Sequence, residues 1–133
     1  MIYISSSCVK TRSIKEAVST LAKSGFKNIE LSGGTKYYKD FEKDLLVLQD
    51  KYSLNYQMHN YFPPPQSAFV LNLASLNDKI YDQSIELCKN AISISKRLKG
   101  SRYGIHAGFL IDIKPKEAGK KIPNRNLSNK KKA

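Results

Sequence analysis

The chain has 133 residues, 41% hydrophobic and 26% charged, the make-up of one globular domain with enough apolar side chains for a core. No run of ~18 apolar residues occurs, which argues against a membrane-spanning helix, and the N-terminus lacks the basic start and apolar stretch of a secretory signal. The formal charge is +12, but residues 114–133 hold eight Lys or Arg and one Glu, a net +7, while residues 1–113 hold 15 basic and 10 acidic groups, a net +5. The excess therefore belongs mainly to the C-terminal segment, which can associate with polyanions by counterion release, and it is weak ground for a nucleic-acid-binding fold.

Ile2-Tyr3-Ile4 reads as a short buried strand, followed by Ser5-Ser6-Ser7. Ser13 and Glu16 have capping-box spacing. Ile14, Ala17, Val18, Leu21 and Ala22 then form one stripe of an amphipathic helix, which Gly25 ends. Asn28 to Leu31 predicts a second strand, with Ser32-Gly33-Gly34 as its loop. Phe41, Leu45, Leu48 and Tyr52, helped by Leu46 and Val47, predict a second helix, and Asn55 to His59 a third strand. Residues 60–77 form a long loop stiffened by Pro63-Pro64-Pro65. A third helix is expected over Asp78 to Leu98, stopped by Gly100, and a fourth strand over Tyr103 to His106. Lys114 to Lys121 can begin a helix, and residues 122–133 have the composition of a disordered, Lys-rich tail. Cys8 and Cys88 are too few for a disulfide framework and read as small buried hydrophobes in a protein of the reducing cytoplasm.

The alternation β-α-β-α-β-α-β implies parallel strands joined by crossovers. An open doubly wound sheet and part of a barrel both fit it. Chemistry in parallel α/β folds gathers at the carboxyl ends of the strands. Both histidines of the chain fall there, His59 with Asn60 after strand three and His106 at strand four, and Glu30 lies on strand two. Imidazole serves as an acid or base near neutral pH and as a ligand for divalent metals. The blander reading is that each histidine caps a strand and that Glu30 pairs with a lysine at the rim. Two histidines and a glutamate do not by themselves complete a zinc site, which usually takes three protein ligands. Tyr37, Tyr38, Tyr61 and Tyr81 are more readily explained by packing than by stacking on a sugar or base. No phosphate-binding P-loop, dinucleotide fingerprint or nucleophile elbow is present.

Met58-His59-Asn60-Tyr61-Phe62-Pro63-Pro64-Pro65, Asn72-Leu73-Ala74-Ser75, Ser84-Ile85-Glu86-Leu87 and His106-Ala107-Gly108 together resemble AP endonucleases of the endonuclease IV class. Gly25-Phe26-Lys27-Asn28-Ile29-Glu30-Leu31 is similar to a strand of the sugar isomerase and epimerase branch of the same xylose-isomerase-like group. The resemblance spans residues 1 to about 121 and implies the N-terminal half of a (β/α)8 TIM barrel, about four βα units. In the sugar branch it implies isomerisation or epimerisation of a sugar or sugar phosphate, with Glu30, His59, Asn60 and His106 lining the substrate pocket. A divalent ion (Zn, Mn, Mg or Co) would serve the intact family, with most of its ligands on later strands. In the endonuclease branch the implied activity is cleavage of abasic DNA, with His59 and His106 as metal ligands; Pro63-Pro64-Pro65 departs from that pattern. Because a full barrel needs ~200 residues or more, the chain is expected to be a truncated, weakly active or inactive piece of such an enzyme. Otherwise it is a half barrel whose open sheet edges are covered by oligomerisation.

Overall fold

The computed structural model describes residues 1–121; the expected disordered tail at 122–133 lies outside the described residues. Four parallel strands, β1 (Ile4–Ser5), β2 (Asn28–Leu31), β3 (Asn55–His59) and β4 (Tyr103–Gly104), form one sheet in the order β1-β2-β3-β4. Helices α1 (Ile14–Lys23), α2 (Phe41–Tyr52) and α3 (Asp78–Arg97) connect them. No helix among the described residues is long and apolar enough to cross a membrane.

The helices form where the apolar spacing demands. The five residues of the predicted α1 stripe are the five that α1 buries, and Gly25 follows with φ +91°, a backbone conformation open to glycine at little cost. α2 buries Phe41, Leu45 and Leu48, while Leu46 and Val47, off that stripe, face solvent. α3 begins at Asn77, whose side chain accepts from the Ile80 N–H. The predicted capping box does not form. Ser13 makes no side-chain cap, and the Glu16 carboxylate instead accepts from the Thr11 hydroxyl.

Period-two alternation divides the sheet into two unlike faces. Ile29 and Leu31 of β2 and Tyr56 and Met58 of β3 pack into one apolar cluster with Ile14, Val18 and Leu21 of α1, Phe41, Leu45 and Leu48 of α2, and Ile94 of α3. α1, α2 and the C-terminal part of α3 thus pack against the same face, while Leu87 and Cys88 of α3 form a second cluster with Leu71. The alternate residues, Asn28, Glu30, Asn55, Gln57 and His59, lie on the other face, and there Asn55 Nδ2 donates to Asn28 Oδ1 at 2.9 Å and Gln57 Nε2 to Glu30 Oε2 at 2.7 Å. A doubly wound sheet reverses strand order at a switch point and carries helices on both faces. Neither feature occurs among the described residues.

The edge strands are shorter than the sequence suggests. β1 starts at Ile4 because pairing begins with Ile4 opposite Ile29. Ile2, beyond the start of β2, is 90% exposed. β4 ends at Gly104, which pairs with His59, the last residue of β3; His106 is therefore not in the strand. Beyond it, Lys114–Lys121 holds a 3₁₀ turn at Pro115–Glu117 instead of the start of a helix. Cys88 is buried, as expected, but Cys8 sits on a 3₁₀ turn at Ser6–Cys8 and is exposed.

Of Tyr37, Tyr38, Tyr61 and Tyr81, three are engaged by neighbouring groups, while Tyr81 is 42% exposed. Tyr37 and Tyr38 meet Phe41 edge-on, Tyr61 accepts the Leu71 N–H on its hydroxyl, and the Tyr38 hydroxyl donates to Asp44 Oδ2 at 3.0 Å. Burial first, then Asp44, raises the Tyr38 phenol from 10.0 to about 12. Burial also raises Tyr56 and Tyr103. A folded-state pKa above the unfolded one gives stability that is complete below the unfolded pKa and disappears as pH rises through the folded pKa. The melting temperature should therefore fall between pH 10 and about 12, and Tyr38→Phe should flatten part of that fall. A decline finished before pH 10 would contradict this assignment.

Candidate functional site

Parallel strands run in one direction, so their C-terminal ends form one rim, and the polar face of the sheet opens onto it. Register builds the site in rows. Ser5 lies opposite Glu30, and Glu30 opposite Gln57; one step further on, His59 lies opposite Gly104.

The Glu30 carboxylate is the centre of a hydrogen-bonded group. Oε2 accepts from Gln57 Nε2, and Oε1 accepts from the Ser32 hydroxyl at 3.3 Å. Ser32 Oγ is in turn 2.8 Å from Ser5 Oγ. His59 Nδ1 stands 3.9 Å from Glu30 Oε1, an ion pair whenever the imidazole is protonated. Glu30 and His59 both remain partly open, their side chains 24% and 32% exposed. A carboxylate offers about four acceptor positions, so with two taken by Gln57 and Ser32 it keeps capacity for the hydroxyls of a bound molecule.

His106 reaches the same place from outside the strand. Its ring lies 5.3 Å from the His59 ring, centroid to centroid, at 81°. The segment carrying it is tied down by a clamp on the loop before α3. The Ala107 carbonyl accepts from the Leu73 N–H. The Phe109 N–H donates to Asn72 Oδ1 at 2.9 Å, and Asn72 Nδ2 donates to Asp112 Oδ1 at 2.8 Å. Ser75 Oγ donates to the other Asp112 oxygen, and the Ser84 hydroxyl accepts the Asn72 N–H. The Asn72–Ser75 element and Ser84, noticed in the sequence through resemblance alone, thus hold His106 in register with His59.

Asn60 stands apart from these groups. It is 4% exposed, and neither atom of its amide has a hydrogen-bond partner. An unsatisfied buried polar group costs about 1–3 kcal/mol, and a ligand or further backbone would satisfy it. Glu30, His59 and His106 are therefore brought together at the rim; the Asn60 side chain is bonded to none of them.

Sequence reasoning passed over Gln57 and Gly104. Gln57 was detectable, because alternation puts it on the face of Asn55 and His59. Gly104 carries no signal in sequence: only the register shows that a Cβ there would stand 2.8 Å from His59 Cδ2. Gly104→Ala should leave the fold intact at a loss of about 1 kcal/mol while swinging the His59 ring off its place. Loss of the His59–His106 ring contacts in NMR spectra would register this; an unaltered imidazole pair in the alanine variant would refute it.

Two imidazoles and a carboxylate are ordinary metal ligands, but a catalytic zinc site usually has three protein ligands around one point. Among the described residues no three His, Cys, Asp or Glu side chains gather in a way that could hold an ion. His59 and His106 would at most be part of a ligand set. No protein-family model matches the chain, and neither a curated protein nor a solved structure is found to be similar to it.

Proposed function

We propose that these three βα units and the fourth strand are part of a (β/α)8 barrel of the xylose-isomerase-like kind, and that the polar sheet face binds a sugar or sugar phosphate for isomerisation or epimerisation. The consecutive strand order and the packing of all three helices on one sheet face support the barrel, whose strands turn their other face inward. The observation that carries the substrate class is the group of Glu30, Gln57 and His59, joined by His106, at the strand ends. Acceptors and amide donors fixed in a row suit the vicinal hydroxyls of a polyol. In this reading Glu30 accepts from a hydroxyl, His59 and His106 orient the substrate or contribute to a divalent metal site (Zn, Mn, Mg or Co), and Asn60 supports the pocket floor. Carboxylates that move the proton at carbon, and the remaining metal ligands, belong to strands beyond the four described. A second copy would cover the open edges, since β1 and β4 are both sheet edges, but it repeats the same four strands and brings none of those further groups.

NMR titration of the chain with pentoses, hexoses and their phosphates, with and without Mn²⁺ or Zn²⁺, tests the reading. Shifts should centre on Glu30, Gln57, His59 and His106, and Glu30→Ala should weaken binding roughly tenfold, the loss of about 1.4 kcal/mol. The paired imidazoles also suit a metal-dependent AP endonuclease. A duplex with an abasic site that binds across His59 and His106, when no sugar does, would replace the isomerase reading with that one.

A further inference from the structure

A second cleft lies beside the polar face, between the loop after β1 and the loop after β2. Its volume is about 390 Å³, and its walls include Ser7, Lys10, Arg12, Gly34 and Thr35. No carboxylate lines it. Lys10 and Arg12 are exposed, and neither enters an ion pair with a described residue. The Lys36 N–H donates to the Arg12 carbonyl at 2.8 Å, which fixes the two loops relative to each other. The Thr35 hydroxyl oxygen is buried and has no hydrogen-bond partner, although Thr35 forms part of the cleft wall. Two exposed cations and the Ser7 hydroxyl around a pocket that no carboxylate lines have the chemistry of a dianion site; Glu16 touches the wall only through the Thr11 hydroxyl, from which it accepts.

We propose that this cleft binds the phosphoryl group of a phosphomonoester, an inference that deepens the sugar-phosphate reading above and rests on it for the rest of the ligand. Hydrogen bonds join the cleft to the polar face. Ser6, on the cleft wall, accepts the Ser32 N–H on its hydroxyl at 2.9 Å, and the Ser32 hydroxyl donates to Glu30. A molecule with its phosphate between Lys10 and Arg12 thus has its hydroxyl-bearing carbons directed to a neighbouring, hydrogen-bonded carboxylate. Two cations match a monoester dianion better than the single charge of a diester.

The test measures inorganic phosphate, then a pentose phosphate, then a phosphodiester duplex, binding to the full chain by calorimetry and by amide shifts. Phosphate should shift the amides of Ser7, Lys10, Gly34 and Thr35. Arg12→Gln and Lys10→Gln, both at exposed positions, should each weaken it roughly tenfold. Affinity unchanged in both cation variants, or phosphate shifts confined to residues 122–133, would overturn the inference, as would a duplex that binds the cleft more tightly than the pentose phosphate. Phosphate that binds here while no sugar touches Glu30 leaves the cleft standing and removes the sugar reading. Sugar binding at Glu30 that gains nothing from a phosphate does the reverse.

Discussion

Phe62→Ala should lower the unfolding free energy by about 3–5 kcal/mol, the range for emptying a buried aromatic site. Phe62 is 0% exposed and meets Phe41 edge-on, ring centroids 5.6 Å apart at 90°. Its backbone N–H donates to the His59 carbonyl at 3.1 Å. The ring therefore joins α2 to the chain leaving β3, beneath the candidate site. Small domains hold about 5–15 kcal/mol in all, so this one truncation removes a large share. Urea unfolding should show the midpoint falling with its slope unchanged, and Phe62→Leu, which keeps most of the volume, should lose less than about 1.5 kcal/mol. A loss under about 1 kcal/mol for the alanine variant would mean that the ring does not fill the core as described.

Asn72→Leu should cost about 2–4 kcal/mol and also detach His106 from His59. Asn72 is 1% exposed, and its amide serves three partners: Oδ1 accepts from the Ala74 and Phe109 N–H groups, and Nδ2 donates to Asp112. Leucine keeps the volume and takes the acceptor from the Ala74 and Phe109 N–H groups, an expensive loss for buried donors, while Asp112 keeps its bond from Ser75. β4, two residues long, gives the segment little sheet pairing, so it depends on this clamp together with the Leu73–Ala107 and Ser75–Asp112 bonds. The expected signature is a lower stability together with a changed His106 ring environment, both absent in a surface control such as Lys89→Gln. Gly108→Ala should do the same in milder form, since its Cβ would stand 2.5 Å from Asn72 Oδ1. Retention of the His59–His106 contact in Asn72→Leu would show that something other than this clamp positions His106.

Sequence and structure agree where the signal is local and repeated. The α1 stripe, the β2 and β3 alternation and the Gly25 stop each specify one face or one turn, and a wrong choice there would expose several apolar groups together. They disagree where a residue has a single neighbour. Ile2 and His106 fall off the strands because an edge strand ends when its one partner ends. Glu16 satisfies Thr11 instead of the helix end because a flexible carboxylate has more than one donor in reach.

The sequence alone determined the parallel α/β order, the helix faces and the placing of Glu30 on the second strand and His59 at the end of the third, because periodicity and strand alternation act over a few residues. Tertiary structure decided that the helices share one face and leave the other polar, that Gly104 makes room for His59, and that an asparagine twelve residues before Ser84 positions His106. It also decided that Lys10, Arg12 and Thr35 share a cleft. These features depend on register and on contacts between segments far apart in the chain, and no local spacing records either.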